Sequence, residues 1–358
     1  MIQDFLAASK GQLILDVRSP AEYEHAHIPG AVSFPLFSNE ERAVVGTAYK
    51  QESREKAIKI GLDYFGPKMR PMVEKVEALL AALHGQPENG SFTGRQVFVY
   101  CWRGGMRSGA VSWLLNLYGF KVTMLAGGYK AFRNHVLKTF SLPFRFTILG
   151  GYTGSGKTAL LQELKNKGQK VIDLEGIACH KGSAFGSIHM PPQPTQEMFE
   201  NKLALELAAY AVEAGHEDQS SPSTIWLEDE SQRIGNLNIP MSLWDNMRTS
   251  PVYFLDIPFE QRLDYLMEDY GRGDIQRLRE ATLRITKRLG GLETKNTIAY
   301  LDEGNIREAF RILLQYYDKR YLKGLHNRED VSTLLNKIPC EKVSITNAQA
   351  LLNQYQTL

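Results

Sequence analysis

Cysteine is scarce: three residues in 358, Cys101, Cys179 and Cys340, with no CxxC spacing. That is too few for a disulfide framework and offers no zinc-ligand pattern. It fits a reducing compartment, where a thiol stays free for chemistry, so a cytoplasmic location is expected. No apolar run approaches the roughly 20 residues of a membrane-spanning helix. Residues 1–10 lack the basic start and apolar core of a signal peptide, and no membrane association is expected. An excess of one charge is also missing: 42 Lys and Arg face 40 Asp and Glu, a net charge of +2. Any nucleic acid must therefore be bound by a local basic patch, not by an overall field. Fixed-period repeats and low-complexity tracts are absent.

What is there is ordinary in bulk and specific in places. A hydrophobic fraction of 43% and a charged fraction of 23% suit a soluble globular chain. The length suggests two or three domains of about 100–200 residues, each able to bury its own core. Residues 12–18 (QLILDVR), 96–100 (QVFVY) and 121–125 read as strands, with helical patterns at 72–83 and 110–117 between and after them. Ser19-Pro20 opens a helix, and His27-Ile28-Pro29-Gly30 is turn chemistry. Alternating strands and helices imply a parallel sheet covered by helices. A second series follows: strands at 144–149, 170–174, 224–227 and 252–255, helices at 157–167 and 197–214, and a mostly helical stretch from Phe259 onward. Residues 129–143 read as the bridge. The expected domains are 1–140 and 141–358, both α/β, the second with a helical C-terminal region.

Residues 151–158 (GYTGSGKT) fit G-x-x-x-x-G-K-[ST] between a strand and a helix, the P-loop pattern of NTPase-like domains. Gly151, Gly154, Ser155 and Gly156 let the backbone wrap phosphate oxygens; the helix N-terminus adds partial positive charge. Lys157 supplies a cation and Thr158 a ligand for Mg²⁺. The chemistry also wants an acid at a strand end. Asp229, in Glu228-Asp229-Glu230, is the favoured partner for phosphate and Mg²⁺, with Asp173 and Asp256 as rivals.

Residues 101–108 (CWRGGMRS) place Cys101 after a buried strand and before a helix. Such a loop aims N–H groups at sulfur and lowers its pKa. Arg103 and Arg107 are expected to stabilise a thiolate and an incoming anion. An inert buried cysteine is the alternative, but two flanking arginines argue against it. For Cys179 and Cys340 the inert reading is favoured. Basic residues cluster between Arg272 and Arg288 (Arg272, Arg277, Arg284, Lys287, Arg288). Residues 311–328 interleave Arg320 and Lys323 with tyrosines. These suit a nucleic-acid backbone and an unstacked base, a solvated helix face, or a lid over the P-loop phosphates.

The strings 16–23 (DVRSPAEY) and 27–31 (HIPGA), with the Cys101 loop, resemble rhodanese domains. A rhodanese-like domain followed directly by a P-loop domain, with the strings CWRGGMRS and GGYTGSGKT, resembles the tRNA 2-selenouridine synthase family over essentially the whole chain. One departure concerns the loop. Five residues separate Cys101 from Arg107, the Cys-x5-Arg spacing of dual-specificity phosphatases, which widens the cradle for a tetrahedral group. The resemblance implies a tRNA substrate carrying 5-substituted 2-thiouridine at the wobble position. It implies S-geranylation by geranyl diphosphate, then exchange of the geranylthio group for selenium from selenophosphate, with Cys101 as a covalent carrier. A selenophosphate-supplying enzyme would be a partner. Three rivals remain open. One is a kinase or ATPase with a regulatory rhodanese module; another is a Cys-x5-Arg phosphatase; the third is a non-catalytic persulfide-carrying or docking module.

Overall fold

Short β-branched and aromatic runs that are apolar at every position can only be strands covered on both faces. That is how they lie in the computed structural model, which describes residues 2–87, 90–214, 224–271 and 274–356. The chain divides into two compact units, Met1–Thr139 and Phe140–Leu358.

In the first unit, β1 (Leu13–Asp16), β2 (Val32–Ser33), β3 (Gln96–Tyr100) and β4 (Lys121–Met124) form a parallel sheet in the order β2-β1-β3-β4. Helices Asn39–Gln51, Arg54–Phe65 and Met69–His84 fill the expected helical stretch. Val73, Val76 and Leu80 of the last pack with Leu15, Val97 and Val99 of the sheet.

The stretch read as a bridge is not one. Gly128–Thr139 is a helix whose Tyr129, Phe132 and Val136 are buried in the first unit. The signature 16–18 explains its anchoring. Asp16 accepts Nε and Nη2 of Arg18 at 3.0 and 2.6 Å, and the Tyr100 hydroxyl at 2.8 Å. The Arg18 guanidinium caps Ala26 O at 2.6 Å and lies 3.9 Å from the Tyr129 ring centre. Buried charge is tolerated here because Nε and Nη2 are both hydrogen-bonded and the Asp16 carboxylate balances the guanidinium.

In the second unit, β5 (Phe146–Gly151), β6 (Lys170–Val171), β7 (Ile225–Glu228), β10 (Val252–Asp256) and β11 (Leu335–Pro339) make a parallel sheet. Its order is β11-β10-β5-β7-β6, which puts the P-loop strand at the centre. A two-stranded ribbon, β8 (Arg233–Ile234) with β9 (Leu237–Asn238), lies outside it. Strand β11 was not expected in the helical C-terminal region. A second core, built from Leu263, Leu266, Leu278, Leu301, Phe310, Leu313 and Leu314, belongs to the helices between β10 and β11.

Candidate active sites

Cys101 follows β3 directly and is 3% exposed. Its loop is pressed against residues 125–128. Gly104 and Gly128 both have positive φ, +65° and +58°. A Cβ on Gly104 would meet Leu125 O at 2.5 Å, and one on Gly128 would meet Cys101 O at 2.3 Å. Only glycine allows both the handedness and the approach. The helix Met106–Tyr118 then starts immediately beneath the sulfur. Ser108 Oγ lies 3.2 Å from Cys101 Sγ. Burial raises the thiol pKa, but hydrogen bonds from the Ser108 side chain and from the N–H groups of Ser108, Gly105 and Arg103 outweigh it, and the net shift is downward. Hydrogen bonds, more than the arginine charges expected from the sequence, therefore make the thiolate accessible.

The two arginines part company. Arg103 is exposed. Arg107 turns to Glu22, with Nη1 to Oε2 at 2.7 Å and Nη2 to Oε1 at 3.3 Å. Burial works against the Glu22 carboxylate, yet the Arg107 hydrogen bonds and charge, the Ser19 N–H and Arg42 bring it down to about 2.

The P-loop runs from β5 into the helix Lys157–Asn166. Gly151, Gly154, Ser155, Gly156, Lys157 and Thr158 all line one cavity of about 1450 Å³. Lys157 Nζ donates to Gly151 O at 3.0 Å, and Thr158 Oγ1 to Glu175 Oε2 at 3.2 Å. Glu175 and Glu230 hydrogen-bond to each other; burial, then their mutual charge, drives Glu230 well up, and burial raises Glu175 despite Lys157. Two carboxylates in contact both favour their protonated forms over isolated ones. Beside it Glu228 is fully buried, with Oε2 accepting Leu174 N at 3.2 Å and Oε1 unpartnered. Burial and the neighbouring Asp173 and Glu175 push its carboxyl well up.

Asp229, the favoured acid, lines the cavity but is committed elsewhere. It accepts the Tyr321 hydroxyl at 2.7 Å and pairs with the buried Arg328. Tyr321 in turn accepts Gly151 N–H at 3.2 Å. Thr158 is hydrogen-bonded to Glu175, while Asp229 is held by Tyr321 and Arg328. Among the described residues no group of three or more His, Cys, Asp or Glu is arranged as a metal cage. Asp173 caps the short helix Leu174–Ala178 through Gly176 N at 2.7 Å.

The basic segments divide similarly. Arg284, Lys287, Arg288 and Arg320 line the P-loop cavity, as do Tyr316 and Tyr317. Lys323 lines a small adjoining recess with Arg320. Arg277 sits 3.8 Å from Asp274 on the surface. Arg272 lies outside the described residues. Arg311 pairs with Glu260 and Glu308, so part of 311–328 serves the fold. Sequence reasoning missed Arg262, which is 2% exposed, holds Thr153 O at 3.0 Å and Asp318 at 2.7 Å, and fixes the P-loop from behind. The cavity lining also includes apolar and aromatic residues: Phe185, Leu266, Tyr270, Ile285 and Phe310.

A thiol cradle on one parallel sheet and a phosphate cradle on another define a rhodanese-like domain joined to a P-loop domain. The family models agree: a rhodanese-like domain matches residues 2–135, and the tRNA 2-selenouridine synthase AAA domain matches residues 144–338. Three curated relatives named tRNA 2-selenouridine synthase are similar along most of the chain. That of Bdellovibrio bacteriovorus is 34% identical over 88% of this chain and 89% of its own. That of Hydrogenovibrio crunogenus is 35% identical over 86% and 88%. That of Nitrosomonas europaea is 35% identical over 75% and 67%. The chain belongs to the tRNA 2-selenouridine synthase family, and it is an enzyme that modifies tRNA.

Proposed function

We propose that this enzyme converts 5-substituted 2-thiouridine at the tRNA wobble position to 2-selenouridine in two stages. The P-loop cavity takes geranyl diphosphate and the Cys101 cradle takes selenophosphate. The observation that carries the first assignment is the composition of the cavity. A phosphate cradle, arginines and apolar and aromatic side chains share one space of about 1450 Å³. That exceeds the roughly 300–1,000 Å³ of ordinary small-molecule sites and suits an amphiphilic ester met by a nucleobase.

In the first stage the base sulfur attacks C1 of the geranyl chain. The S–C bond forms, the C–O bond to diphosphate breaks, and the N3 proton leaves the base. Lys157, Arg284 and Arg288 would stabilise the departing diphosphate. Thr158 Oγ1, 3.2 Å from Glu175 Oε2, and that carboxylate would hold Mg²⁺, which would neutralise the leaving group. In the second stage Cys101 displaces geranylthiol from C2 and is displaced by selenium; water then cleaves the P–Se bond and phosphate departs. S-alkylation matters because a thiol leaves far more readily than thiocarbonyl sulfur, and covalent attachment divides one hard exchange into two. The expected setting is the cytoplasm, alongside an enzyme that supplies selenophosphate. No helix among the described residues is long and apolar enough to cross a membrane.

The test is incubation with 2-thiouridine tRNA, geranyl diphosphate and selenophosphate, followed by mass analysis of nucleosides. Cys101→Ser should accumulate the S-geranyl nucleoside without selenium, and Lys157→Ala should form neither product. Lys157→Ala should also weaken geranyl diphosphate binding by about 2–4 kcal/mol, the loss of a charged hydrogen-bonding partner. Selenation by Cys101→Ser, or a cavity that binds ATP and ignores geranyl diphosphate, would refute the assignment.

A further inference from the structure

The cavity beside the P-loop holds a side chain that the reaction above does not use. Among the described residues that line it, His180 is the one histidine, and it is 8% exposed. Its backbone is fixed: His180 N–H donates to Glu175 O, and Lys181 N–H donates to Gly186 O, both at 3.0 Å. The imidazole is fixed too. A Cβ on Gly186 would meet His180 Cε1 at 2.7 Å and Nδ1 at 2.8 Å, so only a glycine leaves that edge of the ring its place. Nδ1 is buried there without a hydrogen-bond partner. Whatever His180 meets in the cavity, it meets through Nε2. A buried ring with no hydrogen bond on Nδ1 is not held there for stability. The segment also touches the phosphate cradle. A Cβ on Gly182 would meet Glu230 Oε2 at 2.7 Å and Glu175 Oε1 at 3.1 Å, and Glu175 Oε2 accepts Thr158 Oγ1. Further along, Arg284 Nη2 holds Ala184 O at 3.1 Å. Burial and the charge of Arg284 both disfavour an imidazolium at His180.

We propose that His180 is a further catalytic residue of the alkylation: its Nε2 accepts N3–H of the thiouracil ring and takes that proton as the sulfur takes the geranyl group. The role rests on the reaction proposed above and supplies the destination of the proton. A lone pair of sulfur forms the S–C1 bond. The C1–O bond breaks, and its pair leaves with the diphosphate. The N3–H pair stays on nitrogen as the C2=N3 double bond forms, and the proton passes to Nε2 and then to water. Until N3 loses its proton the alkylated base is a cation, and the geranyl group can return to the diphosphate. A neutral imidazole suits this task better than a carboxylate does. It accepts a proton near neutral pH, and beforehand it adds no negative charge to compete with the diphosphate for Lys157 and Arg288. The four carboxylates lining the cavity, Asp173, Glu175, Asp229 and Glu230, are each hydrogen-bonded within the protein already.

Single-turnover geranylation by the full-length enzyme is followed on an anticodon stem-loop RNA carrying 2-thiouridine, at saturating geranyl diphosphate. His180→Gln keeps a polar side chain of similar reach that cannot take a proton at neutral pH. Its rate should fall about 100-fold, the usual contribution of a positioned base, with affinities for geranyl diphosphate and RNA within about threefold of wild type. His180→Ala should regain part of its lost rate as imidazole is added, which a packing role would not permit. A second measurement needs no variant. Diethyl pyrocarbonate acylates an open imidazole nitrogen, and mass analysis reads the acylation at the peptide that contains His180. In wild type the 2-thiouridine RNA together with the unreactive geranyl thiolodiphosphate should protect His180, and the thiolodiphosphate alone should not. A His180→Gln rate within about threefold of wild type overturns the role. So does a loss that imidazole leaves untouched in His180→Ala. An imidazole still open with both ligands present, or closed by the thiolodiphosphate alone, overturns it even where the variants fail to fold. A wild-type enzyme that makes no S-geranyl nucleoside refutes the proposed reaction and this role with it; full geranylation without His180 refutes this role alone.

Discussion

Burial alone would push the Cys101 thiol up, away from the range in which a thiolate forms near neutral pH. The Ser108 hydroxyl at 3.2 Å and three backbone N–H groups reverse that. Ser108→Ala removes the only side-chain member of the ring. Its alkylation profile with iodoacetamide should shift to higher pH, with the rate at pH 7 falling and the limiting rate at high pH unchanged. An unshifted profile would assign the lowered pKa to the backbone alone. Tyr321 plays an analogous part at the P-loop, joining Gly151 N–H to Asp229. Tyr321→Phe should destabilise the second unit by about 1–2 kcal/mol, two hydrogen bonds less one buried acceptor still held by Arg328. The denaturant midpoint of that unit measures it. Cys101 and Lys157 were legible in the sequence because their loops are local. Tyr321, Arg328 and Glu22 were not. Their partners lie 170, 99 and 85 positions away, and nothing in their neighbourhoods points across such distances.

The elements that sequence periodicity found are those with strong local patterns. Strands β3 and β10, buried along nearly their whole length, and the long helix Gln196–Ala214 stand where the residues predict them. Strand β11 (LNKIP) escaped because its residues are polar or half-exposed at most positions and it ends in proline. It forms only because β10 offers a free edge, and proline is tolerated at such an edge. Helix Gly128–Thr139 was hidden by the paired glycines at its start, which signal a turn. They serve instead to let the chain pass under Cys101. Helix Ile306–His326 combines both outcomes: its polar residues look like a nucleic-acid surface, while Phe310, Leu313 and Leu314 form the second core. Leu313→Ala should cost about 2–5 kcal/mol, transfer energy plus the cavity left behind. It should also weaken geranyl diphosphate binding, since Leu313 lines the cavity. Calorimetric unfolding and a ligand titration check the two effects; a stable variant would mean the helical core repacks freely.

At the scale of the whole chain, the proposed reaction has two domains act on one tRNA although the chain's net charge is only +2. Affinity has to come from local groups. Arg320 and Lys323 line a recess that shares Arg320, Gly324 and Asn327 with the lining of the P-loop cavity, a place for a backbone beside the phosphate site. Replacing both with alanine should lower tRNA affinity and flatten the plot of log affinity against log salt by about 1.4, roughly 0.7 per phosphate contact. Replacing Arg284, Lys287 and Arg288 should chiefly impair geranyl diphosphate binding. Filter binding across a salt series distinguishes the two groups, and an unchanged slope would remove the recess from the tRNA path. The covalent link between the units should also count. Halves divided between Thr139 and Phe140 and mixed at micromolar concentration should make little 2-selenouridine, because a tether supplies effective concentrations of about millimolar.

Burial raises both Glu175 and Glu230, and the charge of Glu175 raises Glu230 further, so the P-loop cavity holds carboxyls that favour keeping a proton. A cation entering with a diphosphate would favour the charged carboxylates and so release protons held there. The heat measured on mixing enzyme with magnesium and a diphosphate should therefore depend on the ionisation enthalpy of the buffer, and affinity should rise with pH. Glu230→Gln should abolish the buffer dependence, leaving a heat signal that is the same in phosphate and in Tris.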